Sequence, residues 1–168
     1  FGRKVKTGGS MRILFVRHAR AEERADFRGR NDLLRPLTPA GRQEAAKAFK
    51  RIARVYPKPD AILSSKAARA VETAEILARA FGKKKVGQTA LLNPGCGAAQ
   101  LKKILAGLDA SAEWVALVGH DPDFSILVSE LTSEGALRLD FKKAACAEVE
   151  LADNLRGELK AFIPPRLA

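Results

Sequence analysis

The chain has 168 residues, 46% hydrophobic and 29% charged, enough for one domain with a core of its own and no long disordered tail. Its formal net charge of +11 and pI near 10.1 create a field that draws in anions without specifying which. No apolar stretch is long enough for a membrane span. The two cysteines, Cys96 and Cys146, have neither metal-ligand spacing nor a disulfide pattern, so a reducing cytoplasm is the simplest setting.

Residues 1–10 (FGRKVKTGGS) are basic and Gly-rich and lack the apolar stretch of a secretory signal. They are expected to be a flexible tail, with residues 11–168 forming a single domain. Met11 to Val16 (MRILFV) is a short apolar run of the kind that forms a buried strand, and it ends in Arg17-His18. Residues 19–37, rich in charge, read as a loop. Thr38 offers an N-cap and Pro39 a first helical position. Ala45, Phe49, Ile52 and Tyr56 then recur at helical spacing, predicting a helix over 39–55.

Pro57 and Pro59 end that helix, and Ala61 to Leu63 predict a second strand, running into Ser64-Ser65. Ala70, Ala74, Leu77 and Phe81 mark the next helix, closed by Gly82. The only run of basic residues, Lys83 to Lys85, reads as a solvated turn after it. Val86 to Leu92 is expected to hold an outer strand, followed by a turn at Asn93-Pro94-Gly95. Leu101, Ile104, Leu105 and Leu108 mark a third helix, and Trp114 to Val118 a third buried strand ending at Gly119-His120. Asp121 and Pro122 read as the cap and first position of a fourth helix carrying Phe124, Leu127, Val128 and Leu131. Two runs, Ala145 to Leu151 and Glu158 to Ile163, read as a terminal hairpin or edge pair. Strands alternating with helices predict an α/β, three-layer sandwich around a largely parallel sheet.

The chain has only two histidines, and each falls just past the end of a predicted buried strand, where open α/β sheets bind ligands. Arg69 lies in the opening turns of a helix, where its charge is misplaced unless an anion is nearby. If the strands are neighbours, Arg17, His18, Arg69 and His120 converge on one anion. Planar, multidentate donors of this kind suit a phosphoryl group. No carboxylate cluster has metal-ligand spacing, and Cys96 reads as a small loop residue, so neither a metal nor a cofactor is expected.

Four segments in order then resemble one family. Leu14-Phe15-Val16-Arg17-His18-Ala19 is similar to the strand and RHG signature of the histidine phosphatase superfamily, with Ala19 in place of glycine. Arg35-Pro36-Leu37-Thr38-Pro39-Ala40-Gly41 resembles its R-P-L-T-x-x-G segment. Ser64 to Ala74 resembles its S-S/P-x-x-R-A-x-x-T-A segment, and Val118-Gly119-His120-Asp121-Pro122 its second histidine motif. The short length and the R-P-L-T segment resemble the SixA-type phosphohistidine phosphatases. The resemblance implies a phosphoglycerate mutase-like fold with His18 as nucleophile and Arg17, Arg69 and His120 on the phosphoryl oxygens. It implies Asp121, Glu22 or Glu23 as candidates for the general acid. Arg24 sits where relatives place a phosphate-pocket asparagine and would add a third guanidinium. Arg35 would lie at the substrate rim or hold structure.

The expected activity is hydrolysis of a phosphorylated substrate through a phosphohistidine intermediate, with protein phosphohistidine favoured over a small phosphoester or polyphosphate. A phosphate-binding module without turnover is the alternative of a different class. A nucleic-acid partner is not expected, because aromatic residues do not interleave the basic ones, and neither is a membrane partner.

Overall fold

The computed structural model describes residues 10–166. Of the expected tail, only Ser10 falls among the described residues. Six strands form one sheet in the order β3-β2-β4-β1-β5-β6. They are β1 (Met11–Arg17), β2 (Ala61–Ser64), β3 (Gly87–Gln88), β4 (Trp114–Gly119), β5 (Cys146–Leu151) and β6 (Gly157–Ile163). The helices are α1 (Pro39–Val55), α2 (Ala68–Ala80), α3 (Ala98–Ala106) and α4 (Asp123–Ser133). The first four strands run parallel; β5 joins β1 antiparallel and turns back into β6.

Side chains alternate across β1, so Leu14 and Val16 face a core shared with α1 and α2. Ile13 and Phe15 face a second core shared with α3 and α4. Those two cores make the three expected layers: helices, sheet, helices. No helix of the described residues is long and apolar enough to cross a membrane. Cys96 and Cys146 are free and buried.

Helix α1 begins as the sequence predicts. The Thr38 hydroxyl accepts the Gly41 N–H at 2.9 Å, with Pro39 in the first turn. Gly41 has a second role. A Cβ there would stand 2.1 Å from the Arg20 carbonyl oxygen, so only glycine lets α1 press this closely against the chain that leaves β1 after His18.

Two expectations are corrected. The outer strand expected over Val86 to Leu92 shrinks to Gly87–Gln88. Thr89 then accepts the Leu91 N–H and winds Ala90–Leu92 into a 3-10 turn. Helix α4 starts at Asp123, with Pro122 as its cap residue and no side-chain cap, so Asp121 does not cap it. The Asp121 carboxylate turns towards Arg17 instead. The Asp123 carboxylate accepts the N–H groups of Gly95 and Cys96 at 2.8 and 3.3 Å.

Candidate active site

Parallel pairing of β1 with β4 sets Arg17 opposite Gly119, so His18 and His120 leave adjacent strands side by side. The His18 N–H donates to the Gly119 carbonyl at 3.0 Å, and the two rings stand 5.2 Å apart between centroids. On the far side of β4, β2 delivers Ser65 and the start of α2 to the same level, where the Ser65 N–H meets the Val118 carbonyl. Both histidines and Arg69 are about 4% exposed.

The tautomer of each imidazole follows from its partner. His18 Nδ1 lies 2.8 Å from the Ala19 carbonyl oxygen. A carbonyl only accepts, so Nδ1 carries the proton and Nε2 holds a free lone pair. His120 Nε2 lies 2.9 Å from Ser65 Oγ. The Ser65 hydroxyl already donates to Asn93 Oδ1, which also accepts the Lys66 N–H. Its oxygen therefore accepts from His120 Nε2–H, leaving Nδ1 as the unprotonated nitrogen of the neutral ring.

Burial, with a contribution from the Lys143 ammonium, pushes His18 down to about 2. Burial, then Arg69 and Lys143, push His120 down to about 4. Both rings are neutral at physiological pH, so His18 presents a nucleophilic nitrogen without needing a base to deprotonate it.

Arg17 reaches the Phe141 carbonyl at 2.5 Å and stands 3.7 Å from Asp121. Arg69 donates to the Asp32 carbonyl at 2.9 Å, and its guanidinium is 3.2 Å from the Asp32 carboxylate. Burial lowers the pKa of both arginines. The buried side-chain atoms without a hydrogen-bond partner among the described residues are Arg17 Nε, Arg69 Nε and Asp121 Oδ1. All three belong to this cluster. Buried polar groups are rarely left unpaired, and two guanidinium N–H groups beside two imidazoles fit an oxyanion.

The remaining candidates separate. Arg35 donates to Asp32 Oδ1 at 2.9 Å and to the Glu22 carbonyl, so its fork holds the 19–37 loop. Arg24 is largely exposed and sits 3.8 Å from the same carboxylate. Glu22 is half-buried and Glu23 exposed on that loop.

Four residues to which the sequence reading gives no role also shape the cluster. Asp32 gathers Arg35, Arg69 and Arg24, and the Arg35 hydrogen bond chiefly lowers its pKa. Ser65 fixes His120. Thr73 accepts the Ala19 N–H at 3.0 Å and donates to the Arg69 carbonyl at 2.6 Å, tying both sides together. Lys143 keeps contact with solvent, yet partial burial and then Arg17, Arg35 and Arg69 push it down to about 8. Asp32 lies among Arg24, Arg28, Arg30 and Arg35, but Asp26 shares that stretch, so the sequence does not single out Asp32. Lys143 carries no local sign, because only the pairing of β5 with β1 brings it here. Ala19 takes no left-handed backbone angle, and its methyl is buried in the α1–α2 core, so the alanine fits where the family signature has glycine.

Among the described residues, no three His, Cys, Asp or Glu are grouped to hold a metal ion. Burial pushes the Cys96 thiol up to about 11, with Asp123 adding to it, far from a reactive thiolate.

The sequence model of the histidine phosphatase superfamily (branch 1) matches residues 13–125, which include both histidines and Arg69. The chain belongs to the histidine phosphatase superfamily. Members of that superfamily are phosphatases. Among solved structures, the tungstate complex of the protein histidine phosphatase SixA is similar, with TM-score 0.79 and 24% identity over 93% of this chain and 98% of that one. A SixA from Agrobacterium tumefaciens, there a proposed phosphohistidine phosphatase, shares 28% identity with TM-score 0.77 over 92% and 98% of the two chains. A third, from Nakamurella multipartitia, shares 25% identity with TM-score 0.75 over 94% and 98%. No curated protein matches the chain in sequence.

Proposed function

We propose that this histidine phosphatase hydrolyses protein phosphohistidine without a metal ion, through a phosphoryl group carried on His18 Nε2. The observation behind this reading is the His18 Nδ1 contact with the Ala19 carbonyl at 2.8 Å, which aims the other nitrogen's lone pair as an attacking group. In the first step Nε2 forms a bond to phosphorus while the bond from phosphorus to the substrate imidazole breaks. Arg17 and Arg69 stabilise the charge spread over the transferring oxygens. A bound dianion raises the proton affinity of His120, which then offers Nδ1–H as well. In the second step water attacks the phosphoenzyme, and inorganic phosphate leaves.

Two features favour phosphohistidine over an alkyl phosphoester. The departing imidazole needs less protonation than an alkoxide, and the acid supply here is modest: Asp121 is held against Arg17, while Glu22 and Glu23 lie out on the loop. The similarity to the SixA structures supports the same substrate class.

The test is a substrate panel in excess EDTA. Phosphohistidine peptide and aryl phosphate should both turn over. Asp121→Asn should slow alkyl phosphate by about 10²-fold if Asp121 is the donor, and spare the other two. Loss of peptide turnover on chelation, or cleavage of alkyl esters in preference to the peptide, would refute the reading.

A further inference from the structure

Beside the cluster runs an open groove of about 560 Å³, beginning at Arg17 and Lys143. Its walls come from four separate segments: Arg17 and Arg20 at and after the end of β1, Glu44 to Arg51 on α1, the turn at 140–143, and Pro165-Arg166 after β6. Seven of its lining residues are lysine or arginine, and only Glu44 and Asp140 oppose them. Glu44 stands 3.3 Å from Arg20, and Asp140 stands 3.4 Å from Lys142. Those pairs leave the groove strongly positive, with Lys47 and Arg166 exposed along it.

We propose that this groove docks an acidic segment of the protein that carries the phosphohistidine, in extended form. The inference rests on the substrate reading above and names the part of the substrate that lies outside the phosphoryl pocket. Its dimensions select the occupant. The α1 wall spans two helical turns, about 10 Å, the reach of about three residues of extended chain. A lone phosphate needs convergent donors at one point, whereas these cations are spread along a length on four segments. Spread, solvated charges give attraction and orientation and tolerate sequence variation. The groove also starts at Arg17, so a chain leaving the reacting histidine enters it directly. By contrast, the cleft between α1 and α2 pairs its Arg42 with Glu72 at 2.6 Å and offers no comparable excess of charge.

The experiment compares two phosphohistidine peptides of equal length, one flanked by Asp and Glu and one by Ser and Gln. With wild-type protein at low salt, kcat/KM for the acidic peptide should exceed that for the neutral one by about 10-fold, mainly through KM. The ratio should fall towards one in Lys47→Glu/Arg166→Glu and also at high salt, where exposed charges are screened. Lys47→Glu alone, on an exposed face of α1, carries the comparison if the double variant does not fold. Equal rates on both peptides with wild-type protein would overturn the groove while leaving the substrate reading intact. So would a ratio that survives the charge reversals. Competition by tripolyphosphate with no preference between peptides would give the groove to a small polyanion, again overturning it. Turnover of aryl phosphate with neither peptide cleaved would overturn the substrate reading, and the groove inference with it.

Discussion

Arg12 and Arg17 stand at opposite ends of β1, and they differ in what surrounds them. Around Arg12, polar atoms are matched. Its guanidinium grips Glu148 at 2.6 and 2.9 Å and lies 4.7 Å over the Trp114 ring. Tyr56 donates to the other Glu148 oxygen and stacks on Trp114, whose indole N–H finds the Pro57 carbonyl. Around Arg17, cations crowd together and donors are left over: two guanidiniums, Lys143 and two neutral imidazoles share one region, with Arg17 Nε and Arg69 Nε unpaired. A fold held together at both ends would have matched both. On the reading proposed above, the excess at one end is electrostatic preorganisation, stored where charge must be stabilised during reaction.

Substitutions at the two ends should therefore separate activity from stability. The largest effect belongs to His18→Ala, which should abolish turnover and leave no phosphate trapped on the protein while the circular dichroism spectrum is kept. Phosphoenzyme persisting in that variant would move the nucleophile elsewhere.

Next is Arg69→Ala, expected to cost about 3 kcal/mol of transition-state stabilisation, near the loss of one preorganised donor. Arg69→Lys should recover little, because a point charge cannot replace the fork. Near-normal kinetics for the lysine variant would place Arg69 outside the chemistry.

At the other end, Glu148→Ala strands Arg12 and the Tyr56 hydroxyl. It should cost about 2 kcal/mol of stability and lower Tm by several degrees, with kcat retained. Tungstate sharpens the contrast. At about 100 times its Kd a ligand adds about 2.7 kcal/mol to a protein that binds it only when folded. Glu148→Ala should keep that gain in a thermal melt, and Arg69→Ala should lose most of it.

The smallest effect is on pH dependence. His120 is depressed to about 4 and His18 to about 2, against an ordinary value near 6.5. Below that value the unfolded chain takes up protons that the folded one refuses. The stability due to neutral rings is thus present above about pH 6.5 and is lost as pH falls towards the folded values. Between pH 8 and pH 6 the loss is under about 1 kcal/mol per ring. His120→Gln should flatten the change in Tm over that interval, and an unaltered slope would mean that His120 does not titrate as its burial dictates.

Local patterns in the sequence carried the regular elements. Helix α1 was legible to its ends, because Thr38, Pro39 and Pro57 mark them and Phe49 and Ile52 give the period. The superfamily membership and the pairing of Arg17, His18, Arg69 and His120 were legible too, since each follows a predicted strand. What was not legible depends on contacts between distant segments. Asp121 next to proline has the local look of a cap, and only Arg17 from another strand reveals where its carboxylate turns. Lys143 reaches the cluster because β5 runs antiparallel to β1, a choice that no local residue announces. Thr89 ended the outer strand through a single side-chain hydrogen bond that an alternating apolar pattern does not register.

The Thr73 hydroxyl takes the Ala19 N–H and gives its own proton to the Arg69 carbonyl, and the residue is fully buried. One atom thus spans the chain just after His18 and the helix that carries Arg69. Motion of one side cannot occur without the other unless that atom lets go. Hydrogen–deuterium exchange would see this as synchrony: the Ala19 amide should open with the first turns of α2 as one cooperative unit. Thr73→Val should uncouple them, letting the Ala19 amide exchange on its own faster clock.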